Sequence, residues 1–143
     1  MASSRLSLKA WATGPDLTLT IYFNNLKVWQ QSLGSDPEII NHEFDDIDDT
    51  VNVVEIEMSG KSQDHTKVDD HGNIVEDRCI EIRDLCLDDI ELGNILSQKC
   101  KYSHDFNGTK DPVEEKFWGT MGCNGRVRFE FSSPVYLWLL ENL

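Results

Sequence analysis

Between Leu17 and Phe23 the chain alternates without a break, with Leu17, Leu19, Ile21 and Phe23 on one parity and Thr18, Thr20 and Tyr22 on the other. A period of two puts successive side chains on opposite faces of a strand, and a helix cannot gather such a set on one side. The same alternation returns at Leu6 to Ala12, at Val54, Ile56 and Met58, at Ile80 and Ile82, and at Val127, Phe129 and Phe131. Each of these segments has one oily face to bury, and the cheapest partner for such a face is a second sheet.

Turn chemistry separates the strands. Asn24-Asn25 suits a tight reversal, because asparagine enters the left-handed region at low cost, so residues 17 to 33 read as a hairpin. Gly14-Pro15-Asp16 ends the first strand, Asp69 to Asn73 reverses the long polar excursion after Met58, and Asp88-Asp89 reverses the chain between Leu87 and Ile90. A short apolar segment runs from Ile39 to Phe44, followed by the acidic run Asp45 to Asp49, expected as a solvated loop. Gly93 to Leu96 suggests a helical turn, Cys100 to Gly108 a long loop, and Asp111 to Lys116 one turn of helix with Pro112 at its first position. Phe117 to Gly125 brackets an edge, and the closing VYLWLLENL, apolar on both parities, is expected as a strand. Eight or so short strands without a long amphipathic helix predict an all-β, antiparallel β-sandwich, jelly-roll-like, a single domain over residues 1–143.

Charge narrows the range of partners. The formal net charge is −13, and residues 36–77 carry 14 acidic side chains against Lys61 and Lys67, so one flank or end of the fold is expected to be strongly negative. Such a surface disfavours nucleic acid and anionic membranes. No apolar run approaches the ~20 residues of a membrane span, and the first residues lack a signal-peptide pattern, which predicts a protein made in the cytosol. Cys79, Cys86, Cys100 and Cys123 show no CxxC pair or zinc-like spacing with His42, His65, His71 and His104, so free thiols are expected.

Motifs for nucleophilic, phosphate-binding or zinc-hydrolase chemistry are absent, and the chain is read as non-enzymatic. Two site types remain open. Asp64, Asp69, Asp70, Asn73, Glu76 and Asp77 supply hard oxygen donors for calcium, although their spacing does not match an EF-hand loop, and the same residues serve to shape a hairpin. Trp11 and Trp29 lie on the parity opposite the apolar residues of their strands and are expected on outer faces, while Trp118 sits in a glycine-flanked loop. These three rings can close the corners of a sandwich, anchor a protein interface or stack on a sugar.

The succession FNNLKVW, NHEFDD, VVEIEMSGK, TKVDDHGNIVED and IEIRDLCLDDIEL, over residues 16 to 98, resembles small β-sandwich domains of tailed bacteriophages of marine and cyanobacterial hosts. It is also loosely similar to calcium-dependent carbohydrate-binding modules. The first resemblance implies a structural or adhesion protein of the virion (tail, fibre or capsid surface), assembled in the host cytoplasm and contacting other virion proteins or copies of itself. The second implies a glycan partner and a calcium ion.

Overall fold

The structure is a computed structural model that describes residues 3–62 and 67–142, with the backbone alone at 75 and 76. Two antiparallel sheets pack face to face in an all-β, jelly-roll-like sandwich. One runs in the order β12 (Thr120–Met121), β8 (Ile80–Leu87), β1 (Ser3–Ala12), β4 (Glu38–Asp45), with β9 (Ile90–Glu91) paired on β8. The other runs β11 (Val113–Lys116), β10 (Lys101–His104), β13 (Gly125–Ser132), β5 (Val51–Ser59), β2 (Thr18–Phe23), β3 (Leu26–Ser32). A separate small hairpin joins β6 (Lys67–Val68) to β7 (Ile74–Glu76).

The alternating residues meet where their period sends them. Leu6, Leu8, Ala10 and Ala12 face Leu19, Ile21, Val54, Ile56, Val127 and Phe129 across a continuous core, all buried. Asn24 and Asn25 turn at φ +50 and +68, and Asp88 and Asp89 at φ +51 and +64, the left-handed pair that a two-residue hairpin needs.

Three segments depart from the sequence reading. Lys101–His104 is a strand rather than a loop, laddered to β13 and β11. Val113–Lys116 is also a strand, because the free edge of β10 offers it a hydrogen-bond ladder that one helical turn lacks; Pro112, with no N–H to give, stands just outside it. The closing segment is a helix, α2 (Val135–Asn142), whose Val135, Trp138 and Leu139 point inward at helical spacing. Its start is capped from a distance: Asp46, inside the acidic run, accepts the Val135 N–H at 3.1 and 3.2 Å. A short helix α1 (Ile95–Lys99) follows Gly93-Asn94, as read from the sequence.

Of the two arrangements expected, the acidic stretch follows a flank along β5 rather than gathering at one end. Asp45 to Asp49 lies at the start of β5 and the hairpin carrying Asp69 and Asp70 follows its finish, so the nine residues of β5, about 30 Å at ~3.3 Å each, separate the two groups. Sequence proximity spread the charge along strands instead of concentrating it.

Candidate functional site

The edge strands β11 and β12 belong to different sheets, and residues 117–119 step between them. Phe117 is fully buried and meets Tyr102 edge-on at 6.2 Å between ring centres, and its N–H donates to the Cys100 carbonyl at 3.2 Å. Alternation then sends the next side chain outward: Trp118 is 74% exposed. Gly119 makes the reversal at φ +113, and a Cβ there would fall 2.9 Å from Arg83 Nη1. The Gly119 carbonyl accepts from Ile82 N–H at 2.8 Å and from Arg83 Nη1 at 2.9 Å, while the same guanidinium stands 5.6 Å over the Trp11 ring. A rigid prop therefore supports the exposed indole.

Beside Trp118 a cleft of about 460 Å³ opens between the sheets. It lies where β10 and β11 extend past the two-residue β12, over the buried rings of Tyr102 and His104. Tyr102, His104 and Phe106 form a run of ring contacts at 4.6 and 4.7 Å, and Glu115, Lys116 and Thr120 add polar groups. His104 Nε2 lies 2.8 Å from Glu115 Oε1, and its Nδ1 accepts the Phe106 N–H at 3.3 Å, which assigns the ring proton to Nε2.

The Tyr102 hydroxyl donates to the Cys123 carbonyl and accepts the Cys123 N–H at 2.8 Å, so both of its functions hold the loop at 122–124. Burial raises its pKa, and burial likewise raises the thiols of Cys79, to about 11, and Cys123. At neutral pH both cysteines are thiols. Tyr102→Phe strands a backbone N–H and C=O together, and we expect a loss of about 1–3 kcal/mol in chemical denaturation; an unchanged midpoint would show that the loop is held by something else.

Of the three tryptophans read as candidates, only Trp118 borders the cleft. Trp11 lies on an outer face as expected, half-buried beneath Arg83, and touches the site only through that residue. Trp29 does not lie on an outer face. The register of β2 on β3 slips between Ile21 and Tyr22, leaving Val28 as a bulge, so Trp29 sits opposite Ile21 and packs half-buried against the core. One extra residue reverses every later side chain, which is what misdirects a parity argument.

The chain covers 88% of its length on one solved structure and 87% on another. The first is the selenomethionine form of vCBM60, from work on a circular permutation linking two families of calcium-dependent carbohydrate-binding modules, with a TM-score of 0.58 and 6% identity over 89% of that chain. The second is vCBM60 in complex with galactobiose, with a TM-score of 0.52 and 8% identity over 96% of that chain. No protein family and no curated protein matches the sequence. Identities this low show a shared fold, that of vCBM60, and the fold alone.

Two of the acidic residues read as calcium ligands, Asp69 and Asp77, are already engaged within the chain. Asp69 Oδ1 accepts the N–H groups of His71 and Asn73, both at 2.9 Å; the bond from Asn73 is the main reason its pKa lies below the usual carboxylate value. This carboxylate shapes the hairpin turn. Asp77 is paired with Lys61. Among the described residues no three acidic, histidine or cysteine side chains converge as a metal cage; Asp64 and the Glu76 side chain lie outside the described residues. With Asp69 and Asp77 committed, EDTA is expected to leave the thermal midpoint where it was. A fall restored by added calcium would reveal a bound ion and contradict this assignment.

Proposed function

We propose that this chain is a non-catalytic carbohydrate-binding module that holds a sugar in the cleft beside Trp118. The observation carrying the proposal is an indole 74% exposed yet braced through Gly119 and Arg83, at the mouth of a cleft of about 460 Å³. A pyranose presents an apolar face of C–H groups and a rim of hydroxyls. Trp118 offers a flat apolar surface to the face, while Glu115 and Thr120 offer an acceptor and a hydroxyl to the rim. The likeness of fold to modules that bind carbohydrate supports the same reading.

The cleft is also poorly suited to bond cleavage. His104 has both nitrogens engaged, the Tyr102 hydroxyl is spent on Cys123, and the thiols are not activated. A binding role asks none of these groups to react.

The test is a glycan array followed by titration of the best ligand. Trp118→Ala should weaken binding about 30-fold or more, the size of a central aromatic hot spot, while stability changes by no more than about 0.5 kcal/mol because the ring buries little in the free protein. Binding unaffected by that substitution, or absent for every glycan, would overturn the proposal.

A further inference from the structure

The outer face of the larger sheet holds a second cleft, about 530 Å³, reached from the first by crossing β11. Register places Lys116 opposite Lys101 and Lys101 opposite Arg128, so three cations stand side by side on adjacent strands, roughly 4.8 Å per step. Lys99, in the last turn of α1, lines the same cleft. Like charges directly opposite one another destabilise a sheet.

Along the neighbouring β13 and β5 the sheet neutralises its charges. Arg126 takes Glu57 at 2.7 Å and Glu55 at 3.2 Å. That leaves Arg128, which faces Glu55 in register, to turn to Glu130 at 2.9 Å. Lys99, Lys101 and Lys116 have no ion-pair partner among the described residues, in a chain with 26 acidic side chains and 13 basic ones. Of the carboxylates bordering the cleft, Glu130 is held by Arg128 and Glu114 stands opposite Ser103. Screening over about 8 Å lets this local excess outweigh the acids gathered at the two ends of β5.

We propose that the ligand is an acidic polysaccharide, whose carboxylate or sulfate groups lie along Lys116, Lys101 and Arg128 while a neighbouring sugar ring occupies the Trp118 cleft. This rests on the carbohydrate reading above and adds the charge of the ligand to it. Lys116 borders the first cleft and stands opposite Lys101 of the second, so one chain crossing β11 meets both. Charge repeated along a polymer suits cations repeated across strands.

The test is calorimetric titration of the full chain with three oligosaccharides of matched length: an oligogalacturonate, a sulfated galactan and a neutral galactan, each at low and high salt. Wild-type protein should bind one of the acidic probes about tenfold more tightly than the neutral one, with the advantage falling as salt rises. The two acidic arms tell carboxylate from sulfate. Lys101→Gln with Arg128→Gln should remove the advantage, and circular dichroism checks that the fold is retained. Lys101→Gln alone should raise the melting midpoint without ligand, since it relieves like-charge repulsion.

Equal binding of acidic and neutral probes, abolished in Trp118→Ala, would overturn the charge inference and leave the carbohydrate reading standing. Acidic binding that survives Trp118→Ala would overturn the joint site. No binding of any probe, here and on the array, would overturn both.

Discussion

Asp77→Ala is expected to lower the unfolding free energy by about 3–5 kcal/mol, because it strands a buried ammonium. The Lys61 side chain is 2% exposed, and its Nζ meets the Asp77 carboxylate and the Gly122 carbonyl, the latter at 2.6 Å. The same lysine is tied through its backbone: its N–H donates to Asn124 Oδ1 at 3.0 Å and its carbonyl accepts from Asn124 Nδ2 at 2.7 Å. Three chain segments, at 61, 77–79 and 122–124, are thus joined at one charge.

Removing Asp77 leaves that charge a single backbone carbonyl, whereas Lys61→Met leaves a carboxylate that is 29% exposed and can recover water. Lys61→Met should therefore cost less than Asp77→Ala. For a chain of this size the larger loss amounts to a fall in midpoint on the order of 10 °C, measurable by calorimetry. The reverse ranking of the two variants would mean that the ammonium is solvated and the segments are held otherwise.

Phe117→Ala should cost about 3–5 kcal/mol, the range for deleting a large buried ring. Phe117 is fully buried between the sheet edges, and it supplies the inward anchor for the segment that carries Trp118. The substitution therefore tests a link from packing to function. Glycan affinity should fall with stability, although the mutated side chain is not a cleft-lining group; Trp118→Ala should lose affinity alone. A Phe117→Ala protein that is destabilised yet binds normally would uncouple the anchor from the site. Guanidinium denaturation and calorimetric titration on the same sample separate these outcomes.

Period-two alternation made the core legible in advance, since residues such as Leu17, Ile56 and Phe129 are buried where their parity sends them. Asn24-Asn25 and Asp88-Asp89 were equally readable, because positive φ is a property of the dipeptide itself. Trp29 was not, because a bulge is a relation between two strands that neither strand's own pattern displays. The closing helix was hidden by apolar residues on both parities, though Val135, Trp138 and Leu139 already held the spacing i, i+3, i+4.

The site was half visible. Trp118 stood out as an aromatic beside glycine, but the wall behind it was missed. Tyr102 and His104 alternate with Lys101 and Ser103 in the same period of two, a signal masked by histidine and tyrosine counting as polar. That Lys116, Lys101 and Arg128 line up depends on the register of strands distant in sequence, which only the folded sheet reveals.

The most direct test follows the indole N–H resonances of the four tryptophans while a bound glycan is titrated into the protein. The Trp118 signal should move in proportion to occupancy, and that of Trp29, packed against the core and bordering neither cleft, should stay in place. Saturable glycan binding that shifts Trp29 and leaves Trp118 untouched would contradict the assignment of the cleft.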